Sequence, residues 1–522
     1  MSQSDVADRS TYYITTPIYY VNDNPHIGHV YTTLACDVLA RFMRLDGRRV
    51  KFLTGTDEHG QKVERSARAR GMEPQAFTDT MSQNFRDLSR AWDFSNDDFI
   101  RTTESRHVRA CQDLWRRLAD AGQIYLGNYA GWYAVRDEAF YGEDELTTGD
   151  DGQKYAPSGA IADWVEEPSY FFKLSEWQQP LLDFYDANPD FLGLSGRRNE
   201  VVSFVRGGLR DLSVSRTTFA WGVPVPDDPD HIMYVWLDAL TNYLTAVGYP
   251  DTDADEYRAF WPADLHMVGK DILRFHAVYW PAFLLAAGIA APKRVFAHGW
   301  WTNEGQKISK SLGNVIDPYK LIDDYGLDQT RYFMLREVPF GNDGDFAHRA
   351  MVNRINDDLA NDFGNLAQRS LSMIHKNCGA AIPEPGEFTD ADRVMLQSAD
   401  GLAPRMRPEM EQQAFHRALA GVWEVVGQAN RYVDEQAPWV LRKTDPARMG
   451  TVLYVLADVV RQLAIVTQPF MTRGPAALLD QINEPAAARD FAALATRIEP
   501  GRTIQKPQGV FPRFVEEEGK SA

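Results

Sequence analysis

Tyr12-Tyr13-Ile14-Thr15-Thr16-Pro17-Ile18-Tyr19-Tyr20, followed by Val21-Asn22-Asp23-Asn24-Pro25 and His26-Ile27-Gly28-His29, is the stretch that decides the fold. Aromatic and β-branched residues make Tyr12 to Tyr20 a strand. Asn22, Asp23, Asn24 and Pro25 form a turn. Ile27, Val30, Leu34, Val38 and Phe42 then recur at helical spacing, and Gly47 ends the helix. Val50 to Thr54 reads as a second strand, with Gly55-Thr56-Asp57 at its carboxyl end. Strand, turn, helix, strand is a βαβ unit, and in open parallel sheets ligands sit at the carboxyl ends of the strands. His26 and His29, three apart, share one side of the first turn. They can donate hydrogen bonds to phosphate oxygens, helped by the helix N-terminus, and Gly28 lets a purine lie close.

A second short segment suits the same ligand. Lys307-Ile308-Ser309-Lys310-Ser311 sits between Gly305 and Gly313, in a loop able to close over the β- and γ-phosphates of a nucleotide. Phosphoryl chemistry needs alignment and stabilisation of spreading negative charge more than covalent help. Two histidines and two lysines on opposite sides of an α-phosphate supply that. The chain has no G-x-x-x-x-G-K-[ST] loop, and its strand-to-helix turn lacks a dinucleotide glycine triplet.

With 522 residues the chain is long enough for several domains. Its net charge of -18 excludes a general basic field, so an RNA partner must be met by local basic and aromatic patches. Cys36, Cys111 and Cys378 make neither a disulfide framework nor a four-thiolate zinc site, which suits a reducing compartment. Met1 to Ser10 is polar and acidic, unlike a secretory signal or a basic presequence. The apolar stretch near Ala282 to Ala291 is too short to span a bilayer. No membrane partner and a cytoplasmic location are expected; a processed organellar protein would look the same.

Residues 1–121 read as the first half of an α/β nucleotide fold. Residues 122–212, rich in aromatics, Gly and acidic residues, read as an insertion with β structure. The α/β pattern resumes over 213–299, through Ile232-Met233-Tyr234-Val235-Trp236, His266-Met267-Val268 and Val295-Phe296-Ala297. A loop region spans 300–346. Beyond it strand signals nearly vanish, and faces such as Val422, Val425, Val426, Ala429 and Val433 predict an antiparallel helix bundle over 347–495. Residues 496–522 read as an extended tail.

The pair His26-Ile27-Gly28-His29 and Lys307-Ile308-Ser309-Lys310-Ser311 resembles the paired signature motifs of class I aminoacyl-tRNA synthetases. The surroundings are similar to the methionyl-tRNA synthetase family: Thr16-Pro17-Ile18-Tyr19-Tyr20-Val21-Asn22, Gly55-Thr56-Asp57-Glu58-His59-Gly60, Tyr234-Val235-Trp236-Leu237-Asp238-Ala239-Leu240, Gly269-Lys270-Asp271-Ile272 with Phe275-His276, Asn365-Leu366-Ala367-Gln368-Arg369, and Ala437-Pro438-Trp439. The resemblance implies a Rossmann-like catalytic domain split by the insertion, then a helical anticodon-binding bundle. It implies activation of L-methionine by ATP and transfer to tRNA(Met), initiator and elongator, with Mg²⁺ accompanying ATP.

By position, the resemblance makes His26 and His29 steady the transition-state phosphate and Lys310 bind the leaving pyrophosphate, supported by Lys307. Gly28 and Ser309 belong to the ATP site. Asp57 holds the amino group of methionine and Arg216 orients its carboxylate; on residues alone, Asp57 is equally a strand-end carboxylate in a turn. Pro17, Ile18, Tyr20, Trp236, Ala239, Leu240, Tyr243, Phe275, His276 and Tyr279 form the amino-acid pocket, where aromatic walls suit a polarizable thioether. Small apolar differences discriminate only about 10–200-fold. Leu-, Ile- and Val-specific relatives carry a large editing domain, and residues 122–212 are too short for one. Asn365, Arg369 and Trp439 are the base-reading candidates, since RNA loops are read by stacking and edge bonding.

Two departures stand out. Many relatives carry a zinc knuckle in the insertion. Here the first ligand pair is Ala134 and Asp137, and Tyr155-Ala156-Pro157-Ser158-Gly159 has no Cys or His. No zinc is expected, and packing around Trp132, Tyr133, Trp164 and Phe171 is expected to hold the insertion. The chain also stops soon after Gly509-Val510-Phe511-Pro512-Arg513, so a monomer is expected. Two other readings stay open on sequence: a different nucleotidyl transferase with the same first motif, and a synthetase-derived tRNA-binding protein without catalysis.

Overall fold

The computed structural model describes residues 10–22, 24–137, 139–308 and 314–516. Strand β1 (Thr11–Thr15) pairs parallel with β3 (Arg49–Asp57), and β2 (Tyr19–Tyr20) continues along the same neighbour. The single strand expected over Tyr12 to Tyr20 is thus broken. Pro17 has no N–H to give the ladder, and the pairing slips by one residue, from Thr15↔Leu53 to Tyr19↔Thr56. Strand β4 (Asp98–Arg101) flanks β3, while β5 (Leu265–Gly269) and β6 (Val295–His298) extend the sheet beyond β1, all parallel. Gly55 is required where β3 meets β4, because a Cβ there would lie 2.1 Å from the Ile100 carbonyl oxygen.

Successive strand residues face opposite sides of a sheet. Tyr12, Ile14, Phe52, Met267 and Phe296 enter one core with helix α1 (Ile27–Leu45) and the C-terminal bundle. Tyr13, Leu53, Val268, Val295 and Ala297 enter a second core on the other face. Leu88 of helix α2 (Pro74–Ala91) joins the first core. Helices α3 (Ser105–Asp120) and α4 (Val235–Thr245) join the second. Both faces are covered, which is why these strands read as near-continuous apolar runs. The Ile232-to-Trp236 stretch is divided: Asp228–Met233 lies in a separate antiparallel sheet, and Trp236 sits in α4.

In the insertion, Ile124–Ala134 and Ile161–Phe172 form a long antiparallel pair, from Ile124↔Phe172 to Tyr133↔Asp163. The β structure expected up to Leu212 largely stops at Phe172. Gln178–Ala187 and Ser195–Arg206 are helices, and their Leu181, Tyr185, Val201 and Val205 join the second core. Those apolar pairs stand four apart, a helical signal too short to register. At the knuckle positions the Asp137 carboxylate accepts from the Tyr141 hydroxyl (3.0 Å) and from the Ser158 hydroxyl. The Arg136 guanidinium donates to the Ser158 carbonyl. Beneath lie Ala134, Ala156, Ala160 and Ala162, with Trp132 packed against them. Trp132 and Trp164 meet edge to face at 5.4 Å, while Phe171 stacks on Tyr125 instead.

After residue 346 the regular elements among the described residues are helices, apart from one isolated bridge, Ala381↔Thr503. Helix α5 (Leu327–Arg336) leads from the parallel-sheet part towards α6 (Asn365–Asn377), α7 (Phe415–Gln436) and α8 (Pro446–Thr467). The α7 face Val422, Val425, Val426, Ala429 and Val433 is buried. Among the described residues the longest apolar helix is α8 rather than the Ala282 to Ala291 region. It is long and apolar enough to cross a membrane, and its apolar window is wholly buried in the bundle. The tail is extended but docked: Phe511 packs on Phe363 at 5.6 Å, and the Phe514 N–H donates to Asn356 Oδ1.

One buried ion pair joins these parts. Arg331 on α5 donates to Asp37 Oδ2 on α1 (2.7 Å), to the Trp92 carbonyl after α2 (3.1 Å), and to the Pro469 and Phe470 carbonyls after α8 (both 3.0 Å). Both side chains are 0% exposed. Burial would raise the Asp37 pKa, but Arg331, Arg41 and Ser95 more than offset it and hold it below the ordinary carboxylate value. Its contribution to stability is therefore present above that ordinary value and lost as pH falls through the folded one. Asp37→Leu is expected to cost about 3–5 kcal/mol by stranding a buried cation. The double variant Asp37→Leu/Arg331→Met should recover at least half, measured by urea unfolding; additive losses would contradict the coupling.

Candidate active site

Helix α1 begins at the cleft with an unusual cap. His26 Nδ1 accepts the Gly28 N–H (3.1 Å), and His29 Nδ1 accepts the His26 N–H (3.1 Å). A neutral imidazole with Nδ1 as acceptor carries its proton on Nε2. The backbone therefore assigns both rings the same tautomer, each with an Nε2–H donor to offer. The rings stack at 3.8 Å, and His29 is flanked by Tyr19 and Phe85. Desolvation lowers the pKa of both, that of His29 well below 6.5 with His26 adding to the effect. Gly28 leaves room for the His26 ring, since a Cβ would stand 3.0 Å from it and press it out of its capping position.

Two concavities meet at this cap. A cleft of about 380 Å³ is lined by Pro17, Ile18, Tyr20, Asp57, Trp236, Ala239, Leu240, Tyr243 and His276, together with His26, Gly28 and His29. A neighbouring groove of about 940 Å³ runs from Pro25 and Ile27 to Ile308 and Tyr319. His26, Gly28, His298 and Trp300 line both. The smaller cleft is the shape and chemistry for a small amphipathic molecule: aromatic and aliphatic walls with Asp57 at the carboxyl end of β3. The larger one holds the approach to the lysine loop.

The aromatic wall is layered. Trp236 stacks on Phe275 at 3.6 Å and 9°, and Tyr279 abuts Phe275 edge on at 5.5 Å. Phe275 and Tyr279 back Trp236 and do not themselves line the cleft. They lie on a π-helical turn, Phe275–Tyr279, a geometry common at functional sites. His276 accepts from the Tyr243 hydroxyl at Nε2 (2.7 Å) and donates from Nδ1 to the Ile272 carbonyl (2.9 Å).

Arg216 stands apart. Its side chain is buried, donating to Ser213 Oγ (2.7 Å) and the Ser215 carbonyl (2.6 Å), over the Tyr234 ring and 3.9 Å from Glu167. It is outside the cleft lining. Lys307 ends the short strand Gln306–Lys307. Ser309, Lys310 and Ser311 lie outside the described residues. In the bundle, Asn365 opens α6 and is exposed, and Arg369 donates to Asp434 and Asn430 (3.2 Å each) near the end of α7. Trp439 is 45% exposed. Ala437, at φ 42°, ends α7, and Pro438 opens the next helix, Pro438–Thr444.

Sequence reading passed over Thr32, Lys62, Arg136, Asp271, His298 and Trp300 as cleft residues. Asp271 and His298 stand at or just beyond the carboxyl ends of β5 and β6, so the strand-end rule could have found them. Arg136 comes from the insertion, and no local pattern places it there.

Residues 12–371 match the family described as tRNA synthetases class I (M), and residues 382–521 match the anticodon binding domain of methionyl tRNA ligase. A methionine–tRNA ligase of Mesorhizobium japonicum is 56% identical over 98% of this chain and 100% of its own length. One of Brucella suis is 57% identical over 97% of this chain and 99% of its own. Mycobacterium tuberculosis methionyl-tRNA synthetase in complex with methionyl-adenylate superposes with a TM-score of 0.94 at 53% identity, over 97% of this chain and 100% of that one.

The His276–Tyr243 contact makes a pH prediction. Burial lowers the His276 pKa from 6.5 to about 4. An unfolded histidine takes up its proton near 6.5, so this depressed group costs stability as pH falls from there towards 4 and none above. Methionine affinity, read by tryptophan fluorescence, is expected to stay flat from pH 8 to about 5.5 and to fall only nearer 4. Loss centred at 6.5 would contradict it.

Proposed function

We propose, for a chain that belongs to the class I methionyl-tRNA synthetases and is a methionine–tRNA ligase, that both chemical steps run where the small cleft meets the larger groove. In the first step the methionine carboxylate attacks the α-phosphorus of ATP, and the bond to pyrophosphate breaks. In the second a hydroxyl of the 3′-terminal adenosine of tRNA attacks the methionyl carbonyl, and AMP leaves. The observation carrying the proposal is that His26 and Gly28 line both concavities, so an amino acid in one and a nucleotide in the other meet at the helix cap.

There the two Nε2–H donors offer hydrogen bonds to the α-phosphate as charge builds on it. Their depressed pKa values favour neutral donors, and a polarised neutral donor placed in advance is the economical way to stabilise developing charge. Lys307, Ser309 and Lys310 serve the β- and γ-phosphates, with Lys310 taking the leaving pyrophosphate. Asp57 holds the methionine ammonium group, against the Trp236, Ala239 and Leu240 wall. Arg216 orients the carboxylate; its burial beside Glu167 supports an indirect route, through the Tyr234 end of α4.

Mg²⁺ would arrive on ATP, whose phosphates supply the oxygen ligands it prefers. A knuckle zinc does not fit: Ala134 packs with Ala156, Ala160 and Ala162, and Asp137 accepts from Ser158 and Tyr141, without a thiolate or imidazole. We further propose a cytoplasmic monomer serving initiator and elongator tRNA(Met). Its catalytic halves are 1–121 and 213–299, with a connective insertion (122–212), a loop and stem region (300–346), an anticodon domain (347–495) and a tail (496–522). In the anticodon domain Asn365, Arg369 and Trp439 meet the bases.

Methionine-dependent exchange of pyrophosphate into ATP tests the activation site. Lys310→Ala should slow exchange by about 100-fold or more and leave methionine affinity within about twofold; a large loss of methionine binding would contradict its role. Trp439→Ala should spare exchange and lower tRNA charging at least about tenfold, as loss of one base stack does. Unchanged charging would remove Trp439 from the anticodon site.

A further inference from the structure

Asp238 lies on α4 between the cleft residues Trp236 and Ala239, yet it is outside the cleft lining and fully buried. Both its oxygens are engaged. Oδ2 meets His59 Nδ1 at 2.6 Å, in the loop after β3, and Oδ1 meets His107 Nε2 at 2.7 Å, on α3. His107 Nδ1 contacts Thr245 Oγ1, at the last turn of α4 (3.1 Å), and Cys111 Sγ lies 3.2 Å from His107 Nε2. His107, Cys111 and Asp238 resemble a cation cage. The 2.7 Å spacing argues otherwise, because two nitrogen or oxygen ligands of a tetrahedral ion stand about 3.4 Å apart. A shared proton fits that gap.

The bridge bears on Asp57 through its neighbours. Glu58 is held by Arg101 (2.7 and 2.9 Å), Thr103 and Thr56. Gly60 donates to the Trp221 carbonyl, and the Trp221 indole donates to the Glu58 carbonyl. His59, edge on to Trp221, is the link from this run to α4. We infer that Asp238 is a positioning residue for methionine activation: by bridging His59 and His107 it sets the distance between Asp57 and the α4 wall of the pocket.

A buried carboxylate between two imidazoles is a poor way to gain stability, since an apolar core of equal volume does as well. Its directional bonds hold three elements at a fixed spacing instead. Burial would raise the Asp238 pKa, but His59 and His107 more than offset it and hold the carboxylate ionised.

The inference rests on Asp57 as the ammonium-binding group, so Asp57→Asn is measured beside it. In pyrophosphate exchange, Asp238→Leu should raise the KM for methionine about ten- to hundred-fold, the scale of a 1 Å misplacement. The KM for ATP should stay within about twofold. Asp238→Asn, whose amide can still bridge the two rings at unchanged volume, should recover most of the loss and guards against a folding defect in the leucine variant. Equal changes in both KM values, a change in kcat alone, or an asparagine variant as impaired as the leucine one would overturn the inference. If Asp57→Asn leaves the methionine KM unchanged, the assignment of Asp57 fails instead.

Discussion

The guanidinium of Arg331 is the point on which the two-part architecture depends. It is taken wholly out of water, and its four bonds reach three separate places: Asp37 in α1, Trp92 after α2, and the Pro469–Phe470 turn after α8. A buried cation tolerates little displacement of its partners, because each lost bond leaves charge unsolvated. The bundle therefore cannot shift against α1 without cost, and α1 is the helix whose first turn carries His26 and His29. Anticodon-side and catalytic-side elements share one core, from Tyr12 and Phe52 through α1 to Leu463 and Phe511.

At the other end of α1 the constraint is reversed. Its first turn faces the cleft, and the imidazoles themselves accept the Gly28 and His26 N–H groups. That capping consumes Nδ1 on each ring and leaves Nε2–H for a ligand. A single backbone feature thus sets tautomer, ring orientation and donor number together. Gly28 belongs to the same feature, since the His26 ring occupies the space a side chain would need.

In the insertion, hydrogen bonds and ordinary packing gather the knuckle positions. Asp137 gathers Ser158 and Tyr141 over a small alanine core, joining the same two segments a knuckle would join. The expected aromatic packing is partly present: Trp132 meets Trp164, but Phe171 pairs with Tyr125, and Tyr133 lies under Arg216. Cross-strand neighbours decide such pairs, and register between Ile124–Ala134 and Ile161–Phe172 is not written in either strand alone.

The parallel strands, α1 and its buried face, the helical character of the C-terminal third and the placing of His26 to His29 at a strand-to-helix turn were legible in sequence. Each is a local pattern, a period of 2 or 3.6 or a run of neighbouring residues, and local patterns survive without knowledge of the partner. The break at Pro17, the helices at Gln178–Ala187 and Ser195–Arg206, the layering of Phe275 and Tyr279 behind Trp236, and the withdrawal of Arg216 from the cleft were not. Neither was the Asp238 bridge, which joins residues more than a hundred positions apart. The sequence by itself determined which elements form and which residue types reach the strand ends. Tertiary structure alone decided which side chains share the cleft, because that depends on how distant elements pack, and packing is settled by shape and hydrogen-bond closure between surfaces the chain order does not bring together.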